Sequence, residues 1–236
     1  MSNSPTPRRA FLGGAIAAAG VAALPSCARA AKDQMPADAW MDEVPGEHRC
    51  LFDFNQHKNG ATLLHILNYL NTYSTAYDKS AGEVGAAATL YGINPGSSIA
   101  LGFDDEIWEK YELGAYHQLL DADGRAYTRN VFWQPESSDA HLLALGTGIE
   151  PIAPFLGAMP ALGIQSLQGM GTKFIMCNNA LNAWSFELAS RGKGDQEEIN
   201  AELRNHLLPG VSVVPAMVIA IELAHEAGIR LSLIHI

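Results

Sequence analysis

The chain alternates short, continuously apolar runs with longer segments in which apolar residues recur every three or four positions. Runs of the first kind predict buried strands, and the helical spacing of the second kind predicts amphipathic helices. The predicted strands cover residues 49–54, 84–92, 172–177 and 211–215, with a last strand beginning at residues 229–231. The predicted helices cover residues 61–77, a segment capped by Asp104 or Asp105, residues 161–171 and 178–192, a segment capped by Asp195, and residues 216–227.

Strands that are apolar throughout are typical of a parallel sheet covered by helices on both faces. With right-handed crossovers, this pattern predicts an α/β fold, a three-layer α/β/α sandwich with a mainly parallel sheet. We expect the strands that end at Phe54, Tyr91, Cys177 and Val214 to be neighbours in that sheet.

Two segments interrupt or precede this pattern. Residues 121–160 are loop-like, and the stretch PIAPFLGAMP is broken by three prolines, so an insertion or lid beside the sheet is expected there. Residues 31–48 are polar and predict a leader to a domain that spans residues 49–230. The last six letters, LSLIHI (residues 231–236), resemble a translated sequencing adapter, so this tail is expected to be non-native.

The first 30 residues have the order of charged, apolar and small-residue regions that is typical of an export signal. Arg8 and Arg9 precede the apolar residues 13–24, and Ala28 and Ala30 form an A-x-A cleavage site. The letters PRRAFLG resemble the twin-arginine motif, which predicts recognition by the twin-arginine export machinery and a periplasmic or otherwise exported protein. No stable membrane association is expected after cleavage. The alternatives are an uncleaved anchor and lipoprotein processing at Cys27.

The net charge of the chain narrows the classes of molecule that the protein is expected to bind. Without the three arginines of the signal, 12 basic residues remain against 25 acidic ones, a net charge of −13. This excess of acid argues against a nucleic acid or an anionic membrane surface as partner. The helix at residues 216–227 has little polar surface, and a homo-oligomer is expected.

The remaining cysteines, Cys50 and Cys177, allow one disulfide in an oxidising compartment. Cys50 lies in a predicted buried strand and is expected to be a small core residue. No C-x-x-C pair is present and the histidines lack metal-ligand spacing, so neither a metal site nor a cofactor is expected. His57 and His117 either flank a pocket or lie at the surface or core edge.

Cys177 is the candidate for chemistry, because it ends a predicted strand and a helix starts directly after it. Ligands of open α/β sheets bind outside the carboxyl ends of the strands. A helix N-terminus also favours the thiolate, the nucleophilic form of cysteine. Asn178 and Asn179 follow at once and are candidates for ligand binding, although helix capping is the simpler interpretation. The alternative for Cys177 is a packed strand-end residue.

The segment GTKFIMCNNAL, together with ELRNHLLPGVSVVPAMVIAIELAHEAGI, resembles the C-terminal half of the DsrE/DsrF-like family. The segments CLFDFNQHKNGATLLHILNYLNTY and GAAATLYG resemble its first strand, helix and second strand. The resemblance implies a small, often oligomeric α/β domain, some members of which pass sulfur as a persulfide on a strand-end cysteine. Only Cys177 matches such a residue, and the Arg-Gly that usually follows soon after is absent.

Two function hypotheses follow. The first is an exported DsrE-like domain that binds or relays a small sulfur species through Cys177, as a sulfurtransferase-like sulfur carrier. The second is a non-catalytic domain for small-ligand binding or assembly, in which Cys177 is structural. A hydrolase of the G-x-S-x-G kind is not indicated, because that motif is missing.

Overall fold

Five parallel strands form the central sheet of the protein, whose structure is a computed structural model describing residues 38–233. Their order across the sheet is β4-β3-β2-β1-β5, and every neighbouring pair is parallel. The strands are β1 (His48–Asp53), β2 (Val84–Leu90), β3 (Thr172–Cys177), β4 (Ser212–Val214) and β5 (Arg230–Leu233). The predicted α/β class is confirmed, with the four predicted neighbours side by side.

Nine α-helices connect or flank these strands in the described part of the chain. They are α1 (Ala61–Tyr77), α2 (Asp105–Lys110), α3 (Leu113–Tyr116), α4 (His141–Thr147), α5 (Ala158–Ala161), α6 (Ile164–Gly169), α7 (Asn178–Ser190), α8 (Gln196–Asn205) and α9 (Met217–Glu226). The bounds of α1 match the prediction, because its apolar spacing matches its buried side: Leu63, Ile66, Leu67 and Leu70 face the core.

The two faces of the sheet are covered by different elements. Strands β1 to β4 follow one another in one direction, whereas β5 returns to the far side of β1. Because parallel crossovers are right-handed, α9 lies on the face opposite to α1. Arg49 of β1 accordingly donates a 2.6 Å hydrogen bond to the carbonyl of Ala227, directly after α9. The neighbouring Phe52 lies on the other face, with its ring 5.4 Å from that of Tyr69 on α1.

One predicted helix is divided. Asp104 caps α2 as expected, and its carboxylate accepts hydrogen bonds from the N–H groups of Glu106 and Ile107 at 3.1 and 3.3 Å. Glu112 then adopts a left-handed conformation with φ of 54°. An L-residue in that conformation cannot continue a right-handed helix, so the pattern resumes as the separate helix α3.

Residues 121–160 contribute no strand to the described sheet. They form α4, most of α5 and irregular backbone between β2 and β3. Their apolar side chains are nevertheless part of the core, since seven are buried: Val131, Phe132, Ala140, Leu142, Leu143, Phe155 and Met159. This segment therefore packs as an integral part of the long β2–β3 connection.

Cys50 and Cys177 are both free thiols, so the disulfide that two cysteines would allow is not formed. Phe52 pairs with Ala88 of β2, which in turn pairs with Phe174 of β3, so these three side chains lie on the same face of the sheet. Successive side chains along each strand alternate between the two faces. Cys50 therefore faces α1, whereas Cys177 faces α9. Cys50 is buried in its strand, as predicted.

The predicted signal peptide, with Arg8, Arg9, Cys27, Ala28 and Ala30, lies outside the described residues, as do residues 234–236. Residues 231–233 of the proposed tail pair with β1 as part of β5. Within residues 38–233, none of the helices combines the length and apolar character needed to cross a membrane.

Candidate functional site

Cys177 is the last residue of β3 and the N-cap residue of α7. Its thiol makes no capping hydrogen bond, and the residue is 6% exposed. The first N–H groups of a helix have no intrahelical acceptor, and the helix dipole places partial positive charge there. The sulfur therefore lies at the positive end of the α7 dipole, at the sheet edge where α/β domains bind ligands.

Asn178 and Asn179 are the first two residues of α7 itself, so the interpretation of these residues as its caps is wrong. The cap position belongs to Cys177, because β3 continues to that residue. The carboxamide oxygen of Asn178 accepts a hydrogen bond from the Arg204 guanidinium of α8. Asn179 is exposed. Asn178 is thus held in place next to the thiol, whereas Asn179 remains accessible to solvent.

Two further polar side chains lie near Cys177 on the α9 face, and the sequence analysis did not single them out. Leu90 pairs with Met176, which places Tyr91 level with Cys177. Thr89 donates a 3.0 Å hydrogen bond to the Asp53 carboxylate and thereby holds it on this face. Burial, then the charge of Asp53, raises the pKa of Tyr91 to about 12, and Cys177 adds to the shift. The carboxylate of Asp53 and the thiol of Cys177 therefore both lie close enough to the phenol of Tyr91 to act on it electrostatically.

Arg204 brings a cation to the start of α7 from a distant part of the chain. It is partly buried, and burial lowers its pKa. Its Nε donates a 2.7 Å hydrogen bond to Asn200, while a terminal nitrogen bonds Asn178, which is 26 residues away in sequence. The sequence has no basic residue soon after Cys177, but the fold brings the guanidinium of Arg204 to Asn178, the residue that follows it. Only the fold brings the two segments together.

His57 and His117 are the second polar feature of this sheet edge. His57 follows β1, and its N–H donates to the carbonyl of Gly96, in the loop after β2. Each histidine is only 3% exposed, and the two ring centroids are 5.9 Å apart. They are buried neighbours rather than surface residues, a relation that their separation in sequence does not reveal.

Both imidazoles are held by backbone N–H groups. Nδ1 of His57 accepts from Asn59 at 3.0 Å, and Nδ1 of His117 accepts from Gly96 at 3.1 Å. Burial lowers the pKa of His57 to about 4. Burial, and then the neighbouring His57, lowers the pKa of His117 to about 3. Both rings are therefore neutral at pH 7.

Two cavities lie away from this edge. A groove of about 410 Å³ on the α1 face is lined by Cys50, Phe52, Ser232 and the tyrosines Tyr69, Tyr73 and Tyr77 of α1, among others. Burial raises the pKa of the Cys50 thiol to about 11, so this cysteine is a poor nucleophile. A second cavity, of about 340 Å³, borders Thr172 and Lys173 at the amino end of β3.

Metal ligands do not gather in the described residues: no three histidine, cysteine, aspartate or glutamate side chains are placed to hold one ion. Two groups of polar side chains do gather at this edge. The first is the thiol of Cys177, the carboxylate of Asp53 and the phenol of Tyr91; the second is the pair of neutral histidines, His57 and His117. The candidate site therefore consists of these thiol, carboxylate, phenol and imidazole groups.

No protein-family model matches this chain, and no curated protein or solved structure is significantly similar to it. The resemblance to the DsrE/DsrF-like family therefore stays a prediction from the motifs around Cys177.

Proposed function

We propose that this protein is an exported, DsrE-like domain that binds or relays a small sulfur species through Cys177. The observation behind this proposal is the position of the thiol, at the carboxyl end of β3 and the first turn of α7. Of the two cysteines in the described chain, Cys177 has this setting, whereas Cys50 lies mid-strand with a raised pKa.

The charges around Cys177 act in opposite directions. The N-terminus of α7 and the cation of Arg204 beside Asn178 place positive charge at this edge of the sheet. The carboxylate of Asp53 places negative charge on the same face of the sheet as the thiol. Arg204 and the helix would equally stabilise an anionic donor or the persulfide formed on Cys177. A sulfur donor that binds at this edge thus meets the positive charge of Arg204 beside Asn178, the residue that follows Cys177.

The proposed transfer needs no additional oxidant. The Cys177 thiolate attacks the outer sulfur of a donor persulfide, R–S–SH, and a new S–S bond forms to Cys177. The S–S bond of the donor breaks, and its inner sulfur leaves as a thiolate that takes up the proton released by Cys177. The products are the thiol R–SH and a Cys177 persulfide, which an acceptor thiol can collect by the same exchange.

The test is mass spectrometry of the folded protein after incubation with glutathione persulfide. We expect one additional sulfur atom on the peptide containing Cys177, and none in a Cys177→Ala variant. The matched control is Cys50→Ala, which should still accept sulfur at Cys177. Native Cys177 should also react with iodoacetamide faster than Cys50 does, because burial raises the pKa of the Cys50 thiol.

The alternative, a non-catalytic ligand-binding or assembly domain, is favoured by two observations. Cys177 is only 6% exposed, which limits access of a sulfur donor to its thiol. The carboxylate of Asp53 also lies on the same face of the sheet, beside Tyr91. If Cys177 takes up no sulfur and resists alkylation while the protein is folded, the sulfur-relay proposal is refuted and the alternative stands.

A further inference from the structure

The groove on the α1 face lies over the outer part of the sheet, between α1 and β5. Its floor consists of side chains of the sheet, Cys50 and Phe52 of β1 and Ser232 of β5. Cys50 pairs with Arg230 and Phe52 pairs with Ser232, so the strand register places all four side chains on this face. The groove has a volume of about 410 Å³, which is within the range of sites that bind small molecules.

The wall of the groove on the α1 side is aromatic. Tyr69, Tyr73 and Tyr77 follow one another at a spacing of four residues, so successive turns of α1 bring their rings to one side of the helix. The ring centroids are 5.0 Å apart between Tyr69 and Tyr73 and 5.5 Å apart between Tyr73 and Tyr77. Tyr77, at the outer end of this row, is 66% exposed. The groove therefore offers a row of phenol rings to a ligand.

The inner part of this row is held in place by the rest of the fold. The hydroxyl of Tyr69 donates a 3.1 Å hydrogen bond to the carbonyl of His48, and the ring of His48 stacks on Tyr73 with 4.8 Å between the centroids. Burial raises the pKa of Tyr69, so its phenol is neutral at pH 7 and remains a donor. Because the rings are already positioned, a ligand that binds here has little side-chain ordering to impose.

A cation lies beside the groove. Arg230 is exposed, and none of the ion pairs in the described chain includes it. Burial raises the pKa values of Cys50 and Tyr69, and the charge of Arg230 opposes this rise in both groups. The guanidinium therefore acts on two residues that line the groove. An arginine that is not paired with a carboxylate attracts an anionic group to this place.

We propose that this groove binds a planar aromatic acid, with its ring against Tyr73 and Tyr77 and its carboxylate towards Arg230. Aromatic rings attract one another in offset or edge-to-face contact, and a guanidinium can bind both oxygens of a carboxylate. A ligand that has only the ring or only the charge uses one wall of the groove. Of the groove residues named here, only Ser232 belongs to the tail that is expected to be non-native.

The first test is nuclear magnetic resonance of the wild-type protein with ¹³C-labelled tyrosine rings, titrated with 2-naphthoate. The signals of Tyr69, Tyr73 and Tyr77 should shift together and saturably, whereas that of Tyr127, in the β2–β3 connection, should not. Two control ligands separate the two features: 2-naphthamide keeps the ring without the charge, and cyclohexanecarboxylate keeps the charge without an aromatic ring. Each should bind roughly tenfold more weakly than 2-naphthoate. No saturable response, or equal binding of 2-naphthamide, would overturn the proposal.

The second test removes the exposed ring. Tyr77→Ala should lower the affinity for 2-naphthoate by about fivefold to tenfold, because one aromatic contact is lost. The matched control is Phe186→Ala, which removes a ring on α7 that is 62% exposed and should leave the affinity unchanged.

The third test removes the charge. Arg230→Gln should lower the affinity for 2-naphthoate by about tenfold and leave that for 2-naphthamide unchanged, since the amide has no charge to pair. The matched control is Arg125→Gln, at an exposed arginine of the β2–β3 connection, which should bind both ligands as the wild type does.

Circular dichroism establishes that each variant is folded, and if one is not, the three ligands compared on the wild type decide the question. Unchanged 2-naphthoate affinity in folded Tyr77→Ala or Arg230→Gln would contradict the proposal. Because Cys177 faces α9, on the other side of the sheet, a Cys177→Ala variant should bind 2-naphthoate as the wild type does, whatever the outcome of the sulfur-transfer test.

Discussion

Single residues at the carboxyl edge of the sheet are held by contacts that join distant parts of the chain. Asp53 is held by Thr89 of the neighbouring strand, and His117 is held by the N–H of Gly96. Both contacts restrict side chains that would otherwise rotate, at the edge where open α/β sheets generally bind ligands. Rigid polar groups of this kind are typical of binding sites.

The two buried histidines make the folded protein sensitive to acid. Their pKa values, about 4 for His57 and about 3 for His117, lie below the ordinary value of 6.5. As the pH falls below 6.5, the unfolded chain takes up protons that the folded chain cannot, so stability falls until the pH reaches the folded pKa values. We expect a loss of up to about 1.4 kcal/mol per pH unit for each histidine.

Urea unfolding at pH 7, 6 and 5 measures this slope. A His117→Gln variant should lose roughly half of it, because one of the two suppressed titrations is gone. The control is His225→Gln, which removes an exposed imidazole and should keep the wild-type slope. A wild-type stability that stays constant over this range would show that the histidines are protonated or solvated in the folded state.

At the residue scale, only part of the candidate site was predictable. The position of Cys177 could be predicted, because it depends on local order, a strand followed by a helix. Asp53, Tyr91 and Arg204 could not, because strand register and the packing of α8 bring them to the same edge. The pairing of His57 with His117 depends on two loops whose backbones meet, and no periodic pattern marks such loops.

Elements were more predictable than residues, because apolar periodicity reflects which side of a helix is buried. The helix α9 is an exception, because its apolar residues are not confined to its buried side. Its small residues Ala220 and Ala224 face the sheet, while Val218 is 75% exposed and Ile219 is 49% exposed. A helix with apolar residues on both sides is typical of an element buried in an assembly.

We therefore predict that α9 forms a contact between copies of the chain. Light scattering at micromolar concentration should give a mass larger than that of a monomer. Val218→Lys should lower this mass to the monomer value, since an unpaired charge in an apolar interface is strongly unfavourable. The control is Leu145→Lys, on α4, where an equally apolar side chain is 69% exposed. A monomeric wild type would refute the prediction.

Boundaries inside the β2–β3 connection were the least predictable elements. The helix expected at residues 161–171 is divided between α5 and α6 at Leu162 and Gly163. Helical propensity continues through this region, but the N–H of Ile164 bonds the carbonyl of Phe132 in a different segment. Tertiary hydrogen bonding of this kind decides where short helices end, and it has no local signature.

For the whole molecule, the sequence also predicts a location. Replacing Arg8 and Arg9 by lysine keeps the charge but removes the paired guanidinium groups of the twin-arginine motif. We expect unprocessed precursor to accumulate in the cytoplasm, as measured by fractionation and immunoblotting. The control, Arg125→Lys, changes an exposed arginine that lies well after the signal in the sequence, and this variant should be exported normally. Normal processing of the double variant would contradict this route of export.

The strand order also has a consequence for how the sheet is assembled. β1 pairs with β2, the next strand along the chain, but its other edge is completed only by β5, and the hydrogen bond between Arg49 and Ala227 spans 178 residues. Contacts so distant in sequence form slowly, because a long loop must close first. During synthesis, β1 therefore exposes an unpaired backbone edge of the kind that promotes aggregation. The yield of soluble protein should thus depend on how quickly β5 docks.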